Sequence, residues 1–404
     1  MARTSSMWVI LGILFLSSTL RSEVTRPSSR ILHTETPEFQ QIRAEGFDAL
    51  YNMDYTLARS RFARLRQILP QHPSGYLYAA TATWVELLNS RRRLQTGIYK
   101  GQSFFVESKE KVDLRTDEVF RAAIAQAICT ADSALQRNPH DPEALYYKGA
   151  AHGLLACYEG TITRSFISAL RHGSKSVSIH RQVIEIDPGF TDAYLTIGTY
   201  DYVVGNLPFF VKILAAIGGF HGSRDRGLEE LKKVADHGLY ANDDARVVLI
   251  TFYARENRFS EALKLLEILT EKYPRNDLFR LERAGTLAGL GRRSESYSLY
   301  DQLLHENPAS RMSDLIHFQY GETLAADGRS GEAIEQYRMI VRDSGSSQEM
   351  ITRAHLRTGQ LLDLQHRRDE AMNEYRAVLS RENVFNLHDQ AKKCLEKPYN
   401  GQDR

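Results

Sequence analysis

The sequence is poor in the residues and motifs that mark catalytic and metal centres. Only three cysteines occur in 404 residues, and no two lie close enough to form a metal-binding or redox pair. The thirteen histidines are scattered, and neither His152 nor His180 has a second ligand three or four residues further on. No HExxH, no GxSxG and no glycine-rich loop between a strand and a helix is present. The sequence therefore predicts a protein that is not an enzyme and that holds no metal and no cofactor.

Neither sign of charge is in excess, and no apolar run is long enough to cross a membrane. The net charge is +2, which gives no reason to expect a nucleic-acid partner. Short basic runs such as Arg91–Arg93 are typical of solvated helix faces or of arginines with acidic partners. The apolar run Met7–Leu16 has ten residues, whereas a membrane-spanning helix needs about 20.

The N-terminal residues differ in kind from the rest of the chain. Arg3 precedes the apolar run Met7–Leu16 and small polar residues follow it, an order that is typical of a secretory signal. We therefore predict a signal peptide at residues 1–22, a polar linker at residues 23–38, and an exported protein that is periplasmic or secreted. The alternative is an uncleaved N-terminal anchor.

A repeat that closes at Pro274 and again at Pro308 organises the chain. In each copy, residues at helical spacing precede the proline at the same offsets: Tyr253, Ala262, Leu266 and Leu269 in the first, and Leu287, Ser296, Tyr300 and Leu303 in the second. A period of about 34 residues, with a small residue, an aliphatic or aromatic residue and a closing proline, resembles the tetratricopeptide repeat (TPR) superfamily. The resemblance implies an all-α, right-handed solenoid of helix pairs.

Applied to the whole chain, the pattern predicts about eight helix pairs from Phe39 onward. Residues 39–242 are expected to form N-terminal units with an inserted helical lobe, residues 243–385 regular units, and residues 386–404 a capping helix and tail. The prolines that close the second, third and fourth pairs come late, so extra residues are expected between the two helices, near residues 89–119, 159–173 and 205–222. Because equivalent loops of neighbouring repeats align on one rim, these additions are expected to meet.

The candidate binding residues are mostly aromatic. One TPR subgroup clamps a C-terminal carboxylate with Lys and Asn at fixed positions, and those residues are missing here. The groove side carries aromatic residues instead, of which we select Trp84, Tyr146 and Tyr202. The alternative is that a wound solenoid buries this face itself. The nearly apolar third addition contributes Phe209 and Phe210, either as packing, as a pocket wall or, less favoured, as a membrane-surface contact.

Arg224 is the one charged candidate, because it begins the helix that follows the third addition. Arg224, or in its place Arg226, would contact an anion at the mouth of the lobe. The structural alternative is that Ser223 caps this helix and that Gly227 fills a close-packing position normally held by alanine.

Two narrower resemblances rest on the stretches IDPGFTDAYLTIGTYDYV and GGFHGSRDRGLEELKKVADHG. They are similar to the periplasmic TPR subunit of TRAP transporters, and to a eukaryotic TPR family linked to inclusion-body and lipid-droplet clearance. The sequence thus predicts a scaffold for a protein or peptide partner. The alternative is a carrier of an apolar small ligand or lipid that uses the inserted lobe.

Overall fold

The computed structural model describes residues 36–94, 112–207, 212, 216–217, 219–306, 312–384 and 386–401. These residues hold seventeen complete α-helices, a 3-10 turn at Thr191–Ala193 and no strand. The first eight helices are α1 (Pro37–Tyr51), α2 (Tyr55–Ile68), α3 (Ser74–Ser90), α4 (Leu114–Arg137), α5 (Pro142–Thr161), α6 (Phe166–Ile186), α7 (Tyr194–Gly205) and α8 (Arg224–His237). The others are α9 (Asn242–Arg255), α10 (Phe259–Lys272), α11 (Asp277–Gly289), α12 (Arg293–Glu306), α13 (Ser313–Ala326), α14 (Ser330–Arg342), α15 (Gln348–Leu364), α16 (Arg368–Leu379) and α17 (Leu387–Glu396).

Consecutive helices pack on one another along the chain, first within a pair and then from one pair to the next. Most turns are short, which places neighbouring helices antiparallel. The last helix, α17, packs against α15 and α16 at the end of the stack. The predicted all-α solenoid of helix pairs is confirmed.

Glycines on the first helix of a pair make room for a ring on the second. The separation between glycine and ring along the chain is the same in three pairs: Gly46–Phe62, Gly321–Tyr337 and Gly359–Tyr375. In each of them, a Cβ on the glycine would lie 2.5 or 2.6 Å from a ring carbon. Each of these rings is fully buried. The contact recurs at the positions that the repeat predicts, so the register is confirmed in these pairs.

Side-chain caps explain where many of the helices begin. A side-chain oxygen accepts a backbone N–H of the first turn at Thr36, Asp54, Asp113, Asp141, Ser223, Asn276 and Ser347. Such a cap satisfies one of the N–H groups that a helix start leaves without a partner. At α5 the cap is followed directly by Pro142, whose fixed backbone angle suits the first helical position.

The extra residues lie partly inside the helices and not only between them. The stretch 159–173 consists of the end of α5, a four-residue turn at 162–165 and the first turns of α6. These helices have 20 and 21 residues, so here the addition lengthens an ordinary helix pair. Proline spacing counts the extra residues but does not say where they lie, which is why they were expected between the two helices of the pair.

The first and second additions meet where the structure describes them, because Arg93 of the first donates to the carbonyl of Thr161 in the second at 2.7 Å, and the residues that flank them pack together. Phe120, near the start of α4, stacks on Tyr158 of α5 with ring centroids 4.0 Å apart. Next to this contact, Arg121 pairs with Glu159 at 2.8 Å. Much of the third addition, including Phe209 and Phe210, lies outside the described residues.

Candidate protein-binding groove

The first helix of each pair lines the concave side of a TPR stack, and here the N-terminal pairs reach across that side. The last residue of α1 and the turn after it, residues 51–53, are called the first tip. The Tyr51 hydroxyl donates to Asp244 at the start of α9, and the Tyr51 ring stacks on Tyr273 with centroids 4.7 Å apart. The side chain of Asn276 donates to the Tyr51 carbonyl. The first tip is therefore held by three side chains of the later pairs.

The pKa values of two adjacent carboxyl groups behind the first tip are shifted in opposite directions. Burial raises the pKa of Asp244 to about 6, even though it accepts the Tyr51 hydroxyl. Burial also acts on Asp243, but hydrogen bonds from Lys272 and Tyr273 outweigh it and hold that pKa below its usual range. The Tyr273 hydroxyl lies 2.6 Å from Asp243. The later pairs thus present an acidic and aromatic surface to the first tip.

A second contact across the groove comes from residues 91–94 after α3, called the second tip. Arg92 pairs with Asp314 at 2.9 Å, and the side chain of Asp314 is only 2% exposed. Leu94 packs against the hydrophobic cluster of the C-terminal pairs. Arg93 donates to the carbonyl of Thr161 at 2.7 Å. Of the two interpretations of this basic run, the acidic partner is confirmed for Arg92.

Two of the predicted binding residues, Tyr146 on α5 and Trp84 on α3, make contacts at opposite ends of α5. The Tyr146 ring, near the start of α5, stacks on His180 at 5.4 Å, and burial raises its pKa above the usual range. The Trp84 indole N–H donates to Thr161 Oγ1 at 3.0 Å, and Thr161 is the last residue of α5. Because a helix rises 1.5 Å per residue, roughly 20 Å of helix separates the two contacts.

The other described candidates, the buried Tyr202 and the partly exposed Arg224, lie where α7, α8 and α9 pack together. Tyr202 is fully buried and stacks on Phe252 with centroids 3.6 Å apart. Arg224 forms two hydrogen bonds to Glu256, each 2.6 Å long. Burial, and after it Glu256, raises the pKa of Tyr202 above its usual range. An external anion at Arg224 would have to compete with Glu256.

The structural interpretation of the stretch after the third addition is also confirmed. Ser223 caps α8 by accepting the backbone N–H of Arg226 at 3.5 Å. A Cβ on Gly227 would lie 2.5 Å from the carbonyl oxygen of Gly198 and 2.6 Å from the amide nitrogen of Tyr202. The absence of a side chain therefore lets α7 and α8 touch through their backbones.

The predicted candidates do not form a single site. Trp84, Tyr146 and the pair Tyr202–Arg224 lie at three separate places, and the remaining two lie outside the described residues. The contacts that cross the groove are made by Tyr51 and Arg92, and their partners were not predicted from the sequence. The only signals were a tyrosine on the groove face and a short run of arginines.

A serine, a histidine and a glutamate stand in an order that resembles a nucleophile, its base and an orienting acid. Ser74 Oγ is 2.6 Å from His72 Nδ1, and His72 Nε2 is 2.8 Å from Glu143 Oε1. Ser74 is 0% exposed, so no substrate reaches its hydroxyl. These contacts join the turn before α3 to the first turn of α5, and we interpret them as structural.

Two histidines on α5 and α6 lie close together within the described residues. The Nδ1 atoms of His152 and His172 are 3.3 Å apart, and burial lowers the pKa of His152 to about 4. Nowhere in the described ranges do three His, Cys, Asp or Glu side chains gather as metal ligands would. Within those same ranges, every helix is too short or too polar to cross a bilayer.

The stacked helix pairs, with glycine–ring contacts at the repeat spacing, define a class of protein. The chain belongs to the tetratricopeptide repeat superfamily. Within it, residues 187–383, just under half of the chain, match the family model described as Iml2/Tetratricopeptide repeat protein 39. No curated protein matches the sequence.

Several solved TPR structures are similar to this chain. Human IFIT1, solved as a dimer with m7Gppp-AAAA, is 12% identical, with 90% of this chain and 86% of that chain covered and a TM-score of 0.43. Yeast Tom70 is 10% identical, with 89% and 88% covered and a TM-score of 0.40. TTC0263 from Thermus thermophilus is 16% identical, with 62% and 98% covered and a TM-score of 0.34. At this identity, they say nothing about ligands of this chain.

Proposed function

We propose that this chain is a non-catalytic scaffold that binds a protein or peptide partner on the concave face of its later helix pairs, in an exported compartment. The observation that supports this is the surface around Asp244, Tyr273 and Asn276, which already holds a turn of protein chain. It uses an aromatic stack together with hydrogen bonds to a carboxylate and from a side-chain amide, and aromatic residues are enriched at protein interfaces, which also carry direct hydrogen bonds. We also propose that the Iml2/Tetratricopeptide repeat protein 39 family extends over the whole chain.

Site-specific photo-crosslinking in the native host tests the proposal. A photoreactive residue replaces Val247, a partly exposed residue at a groove position of α9, and in a matched control it replaces Met339, which is 45% exposed on the second helix of its pair. We expect a defined protein adduct from position 247 and none from position 339. Equal adducts from both positions would contradict a groove partner.

The alternative, a carrier of an apolar ligand, makes a different prediction. A carrier often retains its ligand through purification, so native mass spectrometry would show an added small-molecule mass. If a bound lipid is found and no protein adduct forms at position 247, the carrier function is supported and the scaffold function is rejected.

A further inference from the structure

The first tip is seated on the later pairs in the way a bound peptide would be. Its aromatic side chain stacks on Tyr273, its hydroxyl reaches a carboxylate, and its backbone carbonyl accepts a side-chain hydrogen bond from Asn276. Met53, two residues further on, packs against the hydrophobic cluster of the C-terminal pairs. Side-chain contacts of this kind do not depend on the chain being continuous, so a second segment with the same groups fits the same surface.

The second tip uses a separate part of the same face. Arg92 reaches Asp314 at the start of α13, and Asp314 also accepts the backbone N–H of Ser347 at 3.1 Å. The neighbouring Arg91 lies in the electrostatic field of Glu349 on α15. A basic segment is therefore matched by acidic groups, the buried Asp314 and the partly exposed Glu349, which is the charge complementarity of a binding surface.

From these two contacts we infer that the inner face of α9–α15 is a peptide-binding surface that the chain covers with its own two tips. The partner that displaces them is a basic segment carrying an aromatic residue and an arginine. The inference rests on the proposed scaffold function and names its regulation and the chemistry of its partner. The acidic residues that meet the tips, Asp244 and Asp314, would then bind the aromatic hydroxyl and the guanidinium of the partner.

Competition between a tip and a partner has a simple quantitative form. If the surface is free in only a fraction of the molecules, the apparent dissociation constant of a peptide rises by the inverse of that fraction. A tip that belongs to the same chain acts at an effective concentration on the order of millimolar, so it excludes weak ligands efficiently. Weakening a tip without changing the surface should therefore tighten the binding of a free peptide.

Two labelled peptides serve as probes in fluorescence anisotropy with the full chain. One has the sequence of residues 49–53, which includes Tyr51 and no acidic residue, and the other that of residues 88–94, which includes Arg92. The first peptide is titrated into Tyr51→Ala and the second into Arg92→Ala. We expect each variant to bind its peptide at least tenfold more tightly than the unchanged chain does.

Matched variants separate the tips from general effects of tyrosine and arginine. Tyr76→Ala removes a tyrosine whose hydroxyl donates to the carbonyl of Pro70, and Arg59→Ala removes an arginine from an exposed ion pair with Glu86. Both should bind the peptides as the unchanged chain does. Adding Asp314→Asn to Arg92→Ala should abolish the gain, because the buried negative charge that pairs with the arginine of the peptide is lost.

The outcome can overturn the inference in clear ways. Equal binding by all variants, or no binding by any, means that the tips are permanent core. If an alanine variant unfolds, Tyr51→Phe and Arg92→Gln take its place, since they remove only the hydroxyl or the charge. No gain in these milder variants also overturns the inference. A protein adduct at Val247 that persists without any tip effect would leave the scaffold function standing and reject only the self-covering.

Discussion

Replacing Gly227 by alanine tests whether α7 and α8 cross as closely as the structure shows. The added methyl group would lie 2.5 Å from the Gly198 carbonyl oxygen and 2.6 Å from the Tyr202 amide nitrogen. Ordinary contacts of a Cβ are longer, at 3.4–4 Å, and backbone atoms cannot rotate away as a side chain can. The two helices would have to separate, which would disturb the stack of Tyr202 on Phe252.

The net effect on stability is the difference between two terms. Overpacking costs about 1–3 kcal/mol, and clashes with backbone belong at the upper end of that range. Alanine is favoured over glycine inside a helix by up to about 1 kcal/mol, which offsets part of the cost. The free energy of unfolding should therefore fall by about 2 kcal/mol. With a urea m-value of about 3 kcal/mol/M or more, the midpoint falls by up to about 0.7 M.

Circular dichroism in urea measures the midpoint, and hydrogen exchange of α7 and α8 locates the loss. Exchange is needed because an array of repeats does not have to unfold in a single step. Gly331→Ala is the matched control, since no heavy atom lies within 4 Å of its added methyl group in the first turn of α14. That variant should be neutral or slightly stabilised. A Gly227→Ala protein as stable as the control would refute the close crossing.

Three further predictions follow from other parts of the chain. Ala262 is fully buried where two helices cross, so Ala262→Leu should cost about 1–3 kcal/mol, and an unchanged urea midpoint would mean that the repeat is misaligned there. Burial, and after it Asp201, raises the pKa of Glu230 to about 7. The stability that this group contributes is present at low pH and lost as pH rises through about 7. The urea midpoint should therefore fall between about pH 4.5, the ordinary pKa of a glutamate, and about pH 7, and Glu230→Gln should remove that fall; an equal fall in both proteins would assign it elsewhere. N-terminal sequencing of the protein from its host should begin near Glu23, and an intact Met1 would contradict cleavage of the predicted signal.

The helix pairs and their register could be predicted because they depend on short-range spacing. A glycine at a fixed separation before a ring, as in Gly321 and Tyr337, must face it once both helices form and pair. This contact between glycine and ring does not depend on the curvature of the stack. The position of the extra residues could not be predicted as well, because a count of residues between prolines is the same for a loop and for two longer helices.

The candidate site was predicted less well than the fold. Tyr202 has the size and polarity of a binding residue, yet it stacks on Phe252 and is fully buried. Arg224 was one charge among many, and its bidentate pairing with Glu256 depends on how α8 and α9 pack. Composition and position along a helix indicate that a residue is suited to binding a partner. They do not show whether its side chain is already engaged in contacts within the protein.

The sequence by itself determined that this protein is a stack of TPR helix pairs, since the constant repeat period and the small residues at the crossings leave little freedom in how each pair packs. Only the tertiary structure decided that the stack closes on itself. Tyr51 and Asp244 are 193 residues apart, and Arg92 and Asp314 are more distant still. Each pair contributes a small rotation, and these rotations add along the whole chain. The total rotation decides whether the tips meet the later pairs, and it cannot be read from the sequence of any single repeat.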